Sequence, residues 1–251
     1  CEKSGLAPAA CACWPPIPRL STLNFHMTEF LIHDAKIVRP GVSITSGYLH
    51  VRAGRIVQLG EGRGCPDVEC PCIDAHGQRL TPGLIDMHVH LREPGEEYKE
   101  DIISGTKAAA AGGFTGIACM PNTHPVNDSA SVTSQILERA REGDARVHPV
   151  GAISQGSKGK GLAEFGELKE AGAVAVSDDG LPVLDSQLMR RAMEYASDYQ
   201  LAVISHSEEM SLAKNGVMNE GVVSTRLGLK GIPVAAESIM VYREIALAEY
   251  T

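Results

Sequence analysis

The chain has 251 residues, 43% hydrophobic and 22% charged, which is long and apolar enough to bury a core and excludes a disordered polymer. Its net charge of -8 argues against a general nucleic-acid binder, which needs clustered Lys and Arg. No window approaches the roughly 18 consecutive apolar residues of a membrane span, so no membrane partner is expected.

Residues 1–27 carry Cys1, Cys11, Cys13, Trp14 and the run Pro15-Pro16-Ile17-Pro18 without helical or strand periodicity. A disordered or non-native extension is expected there. Its opening, Glu2-Lys3-Ser4-Gly5 before a short proline-ended apolar patch, fits a signal peptide poorly. The folded part is expected to begin near Met27. Seven cysteines, an odd number in a chain with no need of disulfide staples, point to a reducing cytoplasm. Cys65, Cys70 and Cys72 lack the paired C-x2-C spacing of a structural zinc site.

From 28 to 81 the pattern predicts short strands at Phe30 to Val38, Gly47 to Val51 and Arg55 to Gly60, broken by turns at Ala53-Gly54 and Gly62-Arg63-Gly64. That is a small β-sandwich-like unit. From 82 to 251 apolar strands alternate with helical stretches, as in βα units around a parallel sheet. Strands are expected at Leu84 to His90, Thr115 to Met120, Val147 to Ile153, Ala173 to Asp178 and Leu201 to His206. Helices are expected at Lys99 to Ala111, Val132 to Arg141, Ala163 to Ala171, Gln187 to Tyr199 and Val234 to Glu249. Periodicity alone leaves a barrel and a doubly wound sheet equally open. A dinucleotide fold would put G-x-G-x-x-G after the first strand, where this chain has His88-Val89-His90. The fold class expected is therefore α/β: an incomplete TIM-type (β/α)8 barrel with about five of its eight strands.

His88 and His90 are two apart, so on a strand they share a face and can grip one metal ion, and they fall at the strand's C-terminal end, where barrels place their chemistry. Asn122, Asp178, Asp179 and His206 end later strands in the same way. Imidazole and carboxylate donors suit zinc, which lowers the pKa of a bound water to about 7 and polarises a carbonyl. Such hydrolysis needs no Ser or Cys nucleophile, and the Gly-Xaa-Ser-Xaa-Gly elbow is absent. Ser157-Lys158-Gly159-Lys160-Gly161 fails the phosphate-loop pattern and reads as a mobile loop. Asp128 and Ser129 read as a helix N-terminus, and Asp178 as either a support for the metal site or a turn residue. His26, His33, His50, His76, His124 and His148 read as structural or solvated.

Four segments, Thr81 to Gly95, Met120-Pro121-Asn122-Thr123, Ser177-Asp178-Asp179-Gly180 and Ser205-His206-Ser207-Glu208, resemble the type I dihydroorotases of the amidohydrolase superfamily from about residue 29 onward. The resemblance implies that His88 and His90 bind one zinc, Asp179 bridges two, and His206 binds the second, giving two zinc ions per full-length subunit. It implies that Arg92 and Asn122 hold the substrate carboxylate, a task suited to a bidentate guanidinium. Hydantoinases, dihydropyrimidinases and many allantoinases bridge their metals with a carboxylated lysine after strand four, where this chain has Asp178-Asp179. The activity implied is the reversible cyclisation of N-carbamoyl-L-aspartate to L-dihydroorotate in pyrimidine synthesis. The family's further zinc-binding histidine and proton-shuttling aspartate have no counterpart up to Thr251, so the chain by itself is expected to be inactive or nearly so. A homodimer or an aspartate transcarbamoylase partner is implied. The alternatives are another cyclic amidohydrolase, of allantoinase or hydantoinase type, and a non-catalytic dihydroorotase-like partner of aspartate transcarbamoylase.

Overall fold

The structure, a computed structural model, describes residues 28–62 and 67–251, so the expected extension at 1–27 and Cys65 lie outside the described residues. The chain divides after Pro82 into two compact units. Among the described residues no helix is long and apolar enough to cross a membrane.

The first unit is a mixed five-stranded sheet. Its strands are β1 (Glu29–Arg39), β2 (Ser43–Arg52), β3 (Arg55–Glu61), β4 (Cys72–Asp74) and β5 (Arg79–Leu80). β1 lies antiparallel to β2, which lies antiparallel to β3, while β4 and β5 both run parallel to β1. The β2–β3 connection is the two-residue turn Ala53-Gly54, both at positive φ, whose twist matches that of the paired strands. Along β1, Leu31, Ala35 and Ile37 are buried, and a bulge between Ile32 and Ala35 shifts the alternation midway. His50 is buried and pairs with Glu29 at 2.8 Å, the structural role expected of it.

The second unit carries the βα repeat: β6 (Leu84–Val89), α1 (Ile102–Ala111), β7 (Phe114–Cys119), α2 (Ala130–Ala140), β8 (Arg146–Gly151), α3 (Phe165–Ala171), β9 (Ala175–Val176), α4 (Ser186–Asp198) and β10 (Ala202–Val203). Beyond it come α5 (Met210–Ala213), β11 (Met218–Asn219), α6 (Val222–Leu227), β12 (Gly231–Ile232) and α7 (Ala235–Ala248). The five parallel strands lie in the order β10-β9-β8-β7-β6, each beside its sequence neighbour. A doubly wound sheet reverses its strand order at a switch point. This order never reverses, which is the sweep of a barrel arc. β9 and β10 are shorter than expected, yet single bonds such as Val174 N to Pro149 O at 3.0 Å and Ile204 N to Val176 O at 2.9 Å extend their pairing.

Two apolar clusters hold the helices against this sheet. Ile102, Val132 and Ile136 of α1 and α2 pack with Ile117, Cys119 and Val147 of β7 and β8. Phe165 and Leu168 of α3 and Met189 and Ala192 of α4 pack with Val176 and Leu201. α1 begins at Ile102, later than the expected Lys99, because Asp101 caps it by accepting from Ser104 N at 2.8 Å. Asp128 and Ser129 mark the start of α2 as expected, with Ser129 at its N-cap position, and the Asp128 carboxylate also accepts from Gly156 N at 2.8 Å. That bond ties the 154–161 loop to the start of α2, and Gly159 N donating to Ser154 Oγ at 2.7 Å closes the loop on itself.

Candidate metal centre

β6 ends by delivering His88 and His90 to one side, their rings edge to face with centroids 5.3 Å apart. Arg92, the second residue after His90, takes a positive φ of 60°, a conformation that costs a non-glycine residue roughly 1–2 kcal/mol. Such strain persists where the surroundings hold it. Here the following loop is held at both ends. Glu93 accepts from Ile102 N at 2.9 Å, and His124 N donates to Pro94 O at 2.8 Å. Gly95 is the close approach: at φ +95° a Cβ there would stand 1.9 Å from His124 O. The loop after β6 is thereby locked onto the loop after β7, which carries Asn122.

Asp179, just past β9, is the meeting point. Its Oδ1 lies 3.2 Å from His88 Nε2 and its Oδ2 lies 3.5 Å from His90 Nε2. His206, past β10, presents Nδ1 3.8 Å from the same Oδ1. The Asp179 side chain is 9% exposed, and the histidine rings are more open. Zinc donors at about 2.0–2.1 Å around a tetrahedral centre lie about 3.3 Å apart. The two shorter separations are close to that value, one to each carboxylate oxygen, and His88, His90 and Asp179 each offer a ligand atom within 4.8 Å of the others, a donor set whose chemistry suits zinc. His206 borders the group from the fifth strand.

Asp178 points elsewhere. It is buried and accepts from Ser154 N at 3.0 Å and from Ser154 Oγ. Burial pushes its carboxyl above the usual range, opposed by the Ser154 hydrogen bonds. Its backbone opens the turn into Gly180, with Leu181 N donating to Asp178 O at 2.8 Å, while its side chain anchors Ser154 at the start of the 154–161 loop. Arg92 lies between the β7 loop and Glu96: its Nη1 is 3.5 Å from Asn122 O and 3.6 Å from Glu96 Oε2. The Lys99 ammonium, at 2.6 Å, is the main cause holding the Glu96 carboxyl below its usual range, and the Arg92 guanidinium adds to it.

Two features of the site escaped sequence reasoning. Glu208 Oε2 stands 3.4 Å from His206 Nε2, and its only signal was its place two residues along the same strand exit. The Asn122 amide spans two of the histidine and carboxylate groups, with Oδ1 2.9 Å from His90 Nδ1 and Nδ2 donating to Asp179 Oδ2 at 3.1 Å. Nothing in the order of residues shows a contact 57 positions apart. A hollow of about 540 Å³ opens beside the group, lined by His88, Asp179, His206, Glu208, Asn219 and Glu237 among others. It is large enough for a small-molecule ligand.

The family model described as "Dihydro-orotase-like" matches residues 77–251. The chain belongs to the dihydro-orotase-like family. The dihydroorotase of Geotalea daltonii is 59% identical over 225 residues, covering 89% of this chain and 53% of that protein. The dihydroorotase of Desulfotalea psychrophila is 67% identical over 178 residues, covering 71% of this chain and 42% of that protein. The chain thus spans about half the length of the curated relatives it matches. Among solved structures, the L-hydantoinase (dihydropyrimidinase) of Arthrobacter aurescens superposes with a TM-score of 0.71 at 18% identity, covering 89% of this chain and 51% of that one. At that identity the likeness concerns the fold, and the arc of βα units in this dihydro-orotase-like chain is shared with a hydantoinase.

Proposed function

We propose that the protein to which this chain belongs is a zinc-dependent dihydroorotase, interconverting N-carbamoyl-L-aspartate and L-dihydroorotate in pyrimidine synthesis. The observation that carries the proposal is the convergence of His88, His90 and His206, from two strands, on the Asp179 carboxylate from a third. His88, His90, Asp179 and His206 are the proposed donors, with Asp179 shared between two ions. Zinc bound there supplies Lewis acidity toward water and an amide carbonyl. Arg92 is the proposed partner of the substrate carboxylate, because a planar guanidinium matches two oxygens at once. Asn122 stands beside it in that role, and the neighbouring hollow is the proposed place of the substrate ring. An aspartate at the end of the fourth parallel strand, where hydantoinases carry a carboxylated lysine, favours dihydroorotase among cyclic-amide hydrolases.

The parallel sheet is proposed to be the first part of an eight-stranded barrel, with residues 82–251 as its βα units and 28–81 as part of a sandwich-like unit. The unbroken strand order supports it. So does the place of β6 at the end of that order, paired with β7 alone among the described residues, which leaves a backbone edge of the kind that a further strand covers. The proposed setting is the cytoplasm, with a second copy or an aspartate transcarbamoylase as partner.

The test is zinc retention by the 251-residue chain. The expected result is stoichiometric zinc after gel filtration, measured by mass spectrometry of the metal, and its loss in Asp179→Asn. A chain that retains no more zinc than Asp179→Asn sinks the proposal.

A further inference from the structure

We infer that Asn122 is a positioning residue that sets the tautomer of His90 and the orientation of Asp179. It rests on the zinc-site proposal above and goes beyond contact with a substrate carboxylate. Asn122 is placed by its own backbone surroundings. Met120 N donates to Val89 O at 2.9 Å, which keeps the β7 exit alongside the β6 exit, and Thr123 N and Asn127 N both donate to Pro121 O, at 2.8 and 3.0 Å. The side chain is thereby delivered between His90 and Asp179.

The hydrogen-bond chemistry then leaves one solution. A carboxylate only accepts, so the group facing Asp179 Oδ2 at 3.1 Å must be the amide NH2. The amide carbonyl must therefore face His90 Nδ1 at 2.9 Å. A carbonyl oxygen carries no hydrogen, so Nδ1 must carry one and donate it. In a neutral imidazole that leaves the lone pair on Nε2, the atom that faces the shared site 3.5 Å from Asp179 Oδ2. One amide thus prepares a donor nitrogen and holds an arm of the carboxylate beside it. Histidine ligands elsewhere are oriented by a carboxylate, backbone carbonyl or water on the second ring nitrogen, and loss of such a partner weakens metal binding about 10–100-fold. Here a side-chain amide does this, and its second bond extends the same control to Asp179. The second N–H of the amide is left for other use, so a substrate contact and the positioning role are compatible.

The experiment uses the 251-residue chain and two readouts. Long-range proton–nitrogen NMR of the histidine side chains in metal-free protein reads the tautomer of His90 directly. Zinc affinity is read by competition with a chromophoric chelator. The parent is expected to hold His90 as the Nδ1–H form. Asn122→Ala is expected to lose that preference and to bind zinc about 10–100-fold more weakly. Asn122→Asp, which keeps an acceptor facing Nδ1, is expected to keep the tautomer. An Nε2–H form of His90 in the parent overturns the inference without any variant having to fold. An Asn122→Ala chain equal to the parent in both tautomer and zinc affinity overturns it as well. A parent that binds no zinc overturns the zinc proposal instead, while the tautomer measurement still decides what Asn122 does.

Discussion

Ser154→Ala removes a hydroxyl from the buried junction beneath the candidate metal centre. Ser154 and Asp178 are 0% and 3% exposed, and the serine donates both its N–H and its Oγ–H to the Asp178 carboxylate. The alanine variant keeps the N–H bond and loses the hydroxyl bond to an acceptor that is half of a charged group, a loss of about 1.5–3 kcal/mol. Gly159 N, which donates to Ser154 Oγ at 2.7 Å, is half-buried and can turn to water, so it adds little. The expected destabilisation is therefore about 2 kcal/mol, or roughly 4–8 °C in Tm for a domain of this size. Urea unfolding followed by circular dichroism measures it, and amide exchange at Gly159 is expected to accelerate in step. A double-mutant cycle with Asp178→Asn is expected to show a coupling of about 1 kcal/mol or more, because the two side chains share one bond. Ser154→Ala within roughly 0.5 kcal/mol of the parent, additive with Asp178→Asn, would refute the buried anchor.

Gly95→Ala is expected to unfold the histidine loop, since the added methyl would lie 1.9 Å from His124 O at a φ of +95°; proteolysis between β6 and α1 reports it, and an unchanged cleavage pattern refutes it. Burial pushes the Cys119 thiol up to about 12, so iodoacetamide should leave Cys119 unmodified in the folded chain and label it in urea, as read by peptide mass spectrometry. Hydrogen bonds from Arg52, and secondarily from His50, hold the Glu29 carboxyl below its ordinary 4.5. A carboxyl depressed in the folded state contributes stability above that pH and loses it as pH falls through its folded value. Glu29→Gln should therefore flatten the acid limb of a stability-against-pH curve below about 4.5; a limb as steep as the parent's would count against the pairing.

Much of the fold was legible in the sequence where a physical rule is local. Apolar runs ended by breakers marked β6, β7 and β8 to within a residue or two, because period and turn chemistry act over a few positions. The small elements between Glu209 and Val234, α5, β11, α6 and β12, escaped notice because segments of two to six residues are too short to show a period. Asp128 and Ser129 were legible as the start of α2, but the bond from Gly156 N to the Asp128 carboxylate was not, because only folding brings Gly156 near.

The sequence by itself determined the βα grammar, the strand-end placement of His88, His90, Asn122, Asp179 and His206, and the presence of donors fit for zinc. Only the tertiary structure decided which of them meet. Spacing of two on a strand pairs His88 with His90, but the convergence on Asp179 and the double contact of Asn122 depend on the order in which strands lie side by side. Local sequence carries no such order, because strand neighbours are selected by packing of helices over the sheet, an interaction summed across the whole unit.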